Sequence, residues 1–221
     1  MLLLASEPKT TPTMAQFFQI HPENPQTRLI RQAVEIIHKG GVVIYPTDST
    51  YALGCHIGDK GAMERIRKIR RLDDNHNFTL VCRDLSEIAT YARVGNQHYR
   101  LLKALTPGAY TFIHRATKQV PRRLQHPRRK TIGIRVPDNV ITQHLLAELR
   151  EPLMSTTLIL PGDELPMTDP YEMREILGHA VELVIDGGYC GFEETTVIDM
   201  EEETPSILRV GKGDPALFEQ V

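Results

Sequence analysis

A short apolar run enclosed by chain-breaking residues constrains the fold of this chain most strongly. Residues 42–45 read Val-Val-Ile-Tyr, with Gly40 and Gly41 before them and Pro46 after them. This pattern predicts a buried strand that ends at the proline. Small polar residues follow at positions 47–50. Open α/β sheets bind small ligands at strand ends, although an ordinary turn would also explain this composition.

Helical and strand patterns then alternate along the chain. Apolar residues recur at helical spacing over residues 29–37, and the Gly40-Gly41 pair ends that helix. Further strands are predicted at residues 78–82, 110–114, 131–135, 152–156, 181–186, 195–199 and 206–210. The 221 residues are 41% hydrophobic, which is enough for one substantial core. We therefore expect a single α/β domain with a mixed sheet and helices on its faces.

Several short motifs resemble one protein family, and they occur in the family's order. Thr47 lies in a Tyr-Pro-Thr run that leads to the pair Gly54-Cys55. The other matching segments are residues 107–112, 133–137, 155–157, 195–199 and 208–211. Together they resemble the YrdC-like domain family, the L-threonylcarbamoyl-AMP synthase superfamily. Residues 17–25, 76–80 and 186–189 are typical of its YciO branch.

The resemblance implies a YrdC-like fold, a strongly twisted mixed parallel and antiparallel sheet with a concave, positively charged cleft. We expect this domain to occupy residues 14–221. Residues 1–13 have the composition of a disordered N-terminal extension, and Met14 is a plausible alternative start.

The resemblance also implies a reaction of threonine, bicarbonate and ATP. Its product, threonylcarbamoyl-AMP, serves tRNA threonylcarbamoyladenosine modification and hence translation. The residues expected to bind ligand or nucleotide are Thr47, Tyr51, Arg70, Thr111, Arg135, Ser155, Thr157, Thr196 and Arg209. Some of these have structural alternatives: Thr47 could cap a turn, Tyr51 could pack in the sheet, and Arg135 could form a buried ion pair. Catalytic residues are not assigned.

Two family motifs are altered in this chain. The family's Lys-x-Arg aligns with Arg70 and Leu72, so a lysine has become arginine and an arginine has become leucine. The family's Ser-x-Asn aligns with Thr157 and Ile159, so the amide is lost. Each missing polar contact is worth about 1–3 kcal/mol, which weakens the expectation of adenylation.

Charge is distributed unevenly along the chain. Residues 88–137 contain eleven Lys or Arg and no Asp or Glu, whereas residues 138–221 contain eighteen acids and four bases. This asymmetry favours a polyanion-binding face over scattered solvated side chains. The residues expected to bind RNA are Arg67, Lys68, Arg71, Arg115, Lys118, Arg122, Arg123, Arg128, Arg129 and Lys130.

Three functions remain open. The first is a YciO-type protein that binds double-stranded RNA or tRNA on the basic face, with ATP or an adenylate-like molecule in the cleft. The second is a threonylcarbamoyl-AMP synthase, a nucleotidyltransferase that uses Mg-ATP as a substrate. The third is a hydrolase of a related carbamoyl-adenylate, with His76 and Asp48 as candidate acid and base.

The same sequence predicts no tightly bound cofactor, no structural metal and no membrane partner. The apolar runs are far shorter than the roughly 20 residues of a membrane span. Three cysteines without Cys-x-x-Cys spacing suit a reducing compartment, so we expect a cytoplasmic protein.

Overall fold

The computed structural model describes residues 14–73 and 76–218. The expected extension at residues 1–13 lies outside the described residues. The α-helices are α1 (Thr27–His38), α2 (Lys60–Arg70), α3 (Leu85–Tyr91), α4 (Asn96–Leu105), α5 (Val140–Leu149) and α6 (Pro170–Leu177). The strands are β1 (Gln16–Gln19), β2 (Val43–Tyr45), β3 (Ala52–His56), β4 (Thr79–Val81), β5 (Tyr110–Arg115), β6 (Thr131–Arg135), β7 (Leu153–Thr157), β8 (Leu183–Asp186), β9 (Thr196–Asp199) and β10 (Ser206–Arg209). Short 3-10 helices lie at Arg122–Leu124 and Pro215–Phe218.

The described strands form one sheet in the order β1-β8-β2-β3-β7-β4-β6-β5-β9-β10. The pairs β1–β8, β2–β8, β4–β6 and β5–β9 are parallel, and the other neighbouring pairs are antiparallel. The predicted single α/β domain with a mixed sheet is therefore confirmed. β1, which pairs with β8 at the edge of the sheet, was not predicted from its sequence.

Side-chain caps explain where several of the helices begin. Asp59 accepts a hydrogen bond from the backbone N–H of Ala62 at 2.8 Å and starts α2. Asn139 accepts one from Thr142 at 3.0 Å and starts α5. Asp169 caps α6, whose first residue is a proline, as helix N-termini favour.

Helices cover the two faces of the sheet unequally. Helices α2, α3, α4 and α6 bury their apolar residues against one face, where Ile44, Leu80 and Phe112 are fully buried. Helices α1 and α5 pack on the opposite face against β2, β8 and the near ends of β4 and β7. No helix among the described residues buries apolar side chains against the rest of that second face. Because side chains alternate between the faces of a strand, every second residue of the central strands faces this uncovered half.

Small and polar side chains occupy this uncovered half. They come from β3, β4, β5, β6, β7 and β9 and line a cavity. Thr79 lies opposite Ser155 on one neighbouring strand and Gly133 on the other, so the three residues share a face. The fold thus places a polar floor at the centre of a continuous sheet.

No helix in the described part of the chain is long and apolar enough to cross a membrane.

Candidate functional site

The cavity on the uncovered half of the sheet has a volume of about 440 Å³. Strand residues form its floor, namely Ala52, Thr79, Thr111, Ile113, Thr131, Gly133, Arg135, Ser155, Thr157, Val197 and the neighbouring Arg209 of β10. Its walls include Arg70 at the end of α2, His76 and Glu194. Of the nine predicted ligand-binding residues, the structure brings six to this cavity: Arg70, Thr111, Arg135, Ser155, Thr157 and Arg209.

Gly133 keeps the floor of the cavity open. A Cβ atom at this position would lie 3.2 Å from Thr79 Oγ1 and 3.3 Å from Thr111 Cγ2. Any larger side chain would project between these threonines into the space above the sheet. A small residue at the centre of β6 therefore sets the depth of the cavity.

Arg70 presents its guanidinium to one wall of the cavity. Its Nη1 donates hydrogen bonds to the Thr157 carbonyl and, at 3.2 Å, to Thr156 Oγ1. Burial lowers the pKa of Arg70, and the Glu194 carboxylate partly offsets this shift. An arginine keeps its charge in proteins, so Arg70 supplies a cation to this wall. It makes no ion pair with any described residue.

His76 lies beside Arg70 and shares Thr156 with it. Its Nε2 is 3.2 Å from Thr156 Oγ1. Burial lowers the pKa of His76, and the positive charges of Arg70 and Arg67 lower it further. His76 is therefore neutral at pH 7, and the Thr156 hydroxyl can donate a hydrogen bond to it.

The other three arginines that line the cavity are held by carboxylates. Arg135 pairs with Asp48, and both side chains are at most 10% exposed. Arg129 pairs with Asp199 and, at 2.8 Å, with Glu201. In addition, Arg209 Nη1 lies 2.7 Å from Glu194 Oε1. Three of the four arginines in the expected positive cleft are thus charge-paired, which leaves Arg70 as the cation without an ion pair among the described residues.

Asp48 has a structural role in this arrangement. Besides its pair with Arg135, it accepts a hydrogen bond from the backbone N–H of Asp138 at 3.0 Å. These contacts join the turn after β2 to the start of α5. Of the two candidate acid–base residues, the cavity wall includes His76 but not Asp48.

Three predicted ligand-binding residues do not line the cavity, and their hydroxyl groups bond within the protein. Thr47 donates to the Thr50 carbonyl at 2.6 Å and accepts from two backbone N–H groups of the same turn. Tyr51 donates to the Gly188 carbonyl at 2.7 Å. Thr196 donates to the Gly213 carbonyl. Each residue fixes a turn or loop of the protein.

The predicted RNA-binding residues separate into two groups. Members of the first make contacts within the protein, although Arg115, Arg123 and Arg129 are exposed: Arg67 lies over the Phe78 ring, Arg123 donates to the Gly58 carbonyl, and Arg115 and Arg129 contact Glu201. Members of the second are exposed and form no ion pair with described residues: Lys68, Arg71, Lys118, Arg122, Arg128 and Lys130. We call residues 115–130, which connect β5 to β6, the basic segment.

The basic segment is anchored rather than loosely attached. Val120 and Leu124 are buried in the main core, and Arg123 tethers the segment to the loop after β3. Leu124, His126 and Arg129 line the cavity, while Lys118, Arg122 and Arg128 face solvent. The cavity and the exposed bases therefore belong to one continuous region of the molecule.

Sequence reasoning did not identify several cavity residues, among them Thr79, Thr131, His126 and Glu194. A signal existed for Thr131, because residues 131–135 alternate small or polar residues with isoleucine. Glu194 gave no such signal. It follows an equally acidic neighbour, Glu193, and only the fold turns one of the two into the cavity.

Within the described residues, no cluster of three or more His, Cys, Asp or Glu side chains could hold a metal ion. All three cysteines are free and buried. Burial raises the pKa of Cys55 to about 12 and that of Cys190 to about 11, so both thiols are protonated at neutral pH.

The fold and the cavity define an α/β protein with a polar cavity on an uncovered sheet face. Residues 35–211 match the model of the Sua5/YciO/YrdC family, which is described as "Telomere recombination". The chain therefore belongs to this family, and the predicted resemblance is confirmed.

Known relatives agree with this assignment. The chain is 60% identical to YciO of Escherichia coli, whose crystal structure matches with a TM-score of 0.89 over 93% of this chain and 100% of that chain. Sua5 of P. abyssi complexed with L-threonine matches with a TM-score of 0.81 at 25% identity, over 88% of this chain and 57% of that chain. A threonylcarbamoyl-AMP synthase of Vibrio vulnificus is 27% identical over 161 residues, which is 72% of this chain and 86% of that protein. The chain thus resembles YciO closely and the synthases more distantly.

Proposed function

We propose that the cavity binds a nucleotide or adenylate-like ligand and that the basic segment binds double-stranded RNA or tRNA. The cavity carries this proposal, because its polar wall combines the Arg70 guanidinium with threonine hydroxyls. Its volume of about 440 Å³ falls within the usual range for small-molecule sites. The L-threonine complex of the related Sua5 supports a small polar ligand here.

The exposed bases support the RNA part of the proposal. Lys118, Arg122 and Arg128 lie on the basic segment next to the cavity, and Lys68 and Arg71 lie at the end of α2. Arg70, the last residue of that helix, belongs to the cavity wall. A backbone that contacts these bases would therefore pass near the cavity mouth. Double-stranded RNA is read mainly through phosphates and 2′-hydroxyl groups, so such a surface needs no base-specific groove.

Threonylcarbamoyl-AMP synthase activity is the second candidate. Similarity to named synthases supports it, as does the retained cation at Arg70. Ile159 weighs against it, because this side chain lines the cavity where the family motif has an asparagine. An apolar group there cannot replace the donor and acceptor of an amide.

A calorimetric titration of AMP into the full-length protein tests the cavity. We expect Arg70→Ala to weaken AMP binding by about tenfold, because it removes a charge-assisted hydrogen-bond donor. Lys60→Ala, at the exposed start of the same helix, is the control and should bind AMP as the wild type does. Equal affinity in all three proteins, or no AMP binding by the wild type, would contradict the proposal.

A further inference from the structure

Charge pairing inside the cavity has a consequence for ligand choice. Four arginines line the cavity, and three of them, Arg129, Arg135 and Arg209, are paired with carboxylates. Only Arg70 lacks a carboxylate partner among the described residues. His76, on the same wall, is neutral because burial and the adjacent arginines depress its pKa. The wall therefore offers about one uncompensated positive charge to a ligand.

Glu194 is the carboxylate that stands inside the cavity itself. Its Oε1 lies 2.7 Å from Arg209 Nη1, and its Oε2 accepts a hydrogen bond from Thr157 Oγ1 at 3.0 Å. Two fixed contacts hold it in place, so it cannot swing away cheaply when a ligand enters. Its negative charge also acts on Arg70, the cation that is left for the ligand.

Arg209 has little capacity left for a ligand phosphate. Its Nε and Nη2 donate to the Thr195 carbonyl at 3.2 Å and 3.0 Å, and Nη1 donates to Glu194. Nη2 also lies 3.4 Å from Thr195 Oγ1. A guanidinium has five N–H donors, and internal acceptors occupy most of them here.

We infer that Glu194 makes the cavity selective for a ligand with a single negative charge, such as a phosphodiester or acyl-adenylate, over nucleoside triphosphates. This inference rests on the proposed function, since it concerns the ligand of the same cavity. Triphosphate sites surround the phosphates with several free cations, usually including Lys, Arg and Mg²⁺. Here the second cation that could take part, Arg209, is neutralised, and Glu194 repels additional phosphate charge.

The test compares two adenosine ligands, adenosine 5′-methyl phosphate with one negative charge and ATP with about four. Affinities are measured at pH 7.5 in EDTA, so that no divalent cation screens the triphosphate. Glu194→Gln keeps the shape but lacks the charge: its amide oxygen can accept from Arg209, while its amide nitrogen donates to the Thr157 hydroxyl. Glu193→Gln, at the exposed neighbouring position outside the cavity, is the matched control.

We expect the wild type and Glu193→Gln to prefer the methyl phosphate. Glu194→Gln should bind ATP about tenfold more tightly than the wild type, with less than about a threefold change for the methyl phosphate. The wild-type comparison needs no variant, so a preference for ATP would overturn the inference even if Glu194→Gln folds poorly.

A wild type that prefers ATP, or a Glu194→Gln protein with an unchanged ratio of affinities, would overturn this inference while leaving nucleotide binding intact. If neither ligand binds the wild type or the variants, the proposed function fails and the inference falls with it.

Discussion

His114 is a titratable residue that the fold isolates from water. It lies on β5 under α4, is fully buried, and its ring packs edge-on against His98 with centroids 5.9 Å apart. Neither ring nitrogen has a hydrogen-bond partner among the described residues. Burial, followed by the charge of His98, lowers the pKa of His114 to about 4. The side chain therefore remains neutral through the physiological range and behaves as a large apolar group.

The depressed pKa of His114 predicts a loss of stability in mild acid. The unfolded chain takes up the proton near its ordinary pKa of 6.5, whereas the folded chain does so near 4. Stability from this residue is thus complete above pH 6.5 and is lost as the pH falls toward 4. The loss reaches about 2 kcal/mol at pH 5.

We expect His114→Leu to reduce the fall in unfolding free energy between pH 7 and pH 5, as measured by urea denaturation. His144→Leu, at an exposed position, should retain the wild-type pH dependence. Identical pH profiles for wild type and His114→Leu would show that His114 does not titrate as its burial implies.

At the scale of secondary-structure elements, two helices end in an arginine with left-handed backbone. Arg71 closes α2 at φ 49°, and Arg150 closes α5 at φ 61°. Glycine is the usual residue at such a position, because a side chain there costs about 1 kcal/mol. The strained backbone at Arg71 is consistent with a role for its charge in the proposed RNA binding. No ligand is proposed for Arg150.

These two caps form a matched pair of substitutions. Arg71→Gly and Arg150→Gly should each raise the free energy of unfolding by about 1 kcal/mol, because each relieves the same backbone strain. Only Arg71→Gly should weaken RNA binding, as measured by fluorescence anisotropy with a labelled RNA duplex. Equal RNA affinity in the two variants would remove Arg71 from the proposed RNA surface.

At the scale of the whole molecule, the separation of charge along the sequence is partly cancelled in space. Acidic side chains of the C-terminal part form ion pairs with the basic segment: Glu201 contacts both Arg115 and Arg129. Lys118, Arg122 and Arg128 remain exposed and without ion pairs among the described residues. The net positive surface is therefore smaller than the sequence suggests, and these three residues are central to it.

The salt dependence of RNA affinity measures how many of these positive charges contact phosphate groups. Replacing Lys118, Arg122 and Arg128 together by glutamine should reduce the slope of log affinity for RNA against log salt by about 2, because fewer counterions are released. The control replaces Arg28, Arg31 and Lys39, which are exposed residues on or next to α1, by glutamine. This variant has the same net charge as the first and should keep the wild-type slope. Equal slopes for the two triple variants would argue against RNA binding by the basic segment.

Much of the architecture can be predicted from local patterns, but the pairing of charges cannot. Alternation within residues 131–135 is visible in the sequence, and it places Thr131, Gly133 and Arg135 on one face of a strand. The partner of Arg135, by contrast, lies 87 positions away at Asp48. Such contacts depend on strand order, which no local pattern encodes, so the sequence could not show that carboxylates pair with three of the four cavity arginines.

The uncovered half of the sheet also bears on how such a protein can change over evolutionary time. Backbone pairing on both sides holds β3, β4, β5, β6 and β7, and their opposite faces are packed into the core. Most side chains on the cavity floor therefore contribute little to the stability of the fold. A descendant can exchange one of them, as at Gly133 or Thr157, and acquire a different ligand while the scaffold persists. Proteins with the same sheet can in this way bind different ligands, and a few substitutions on one face separate them.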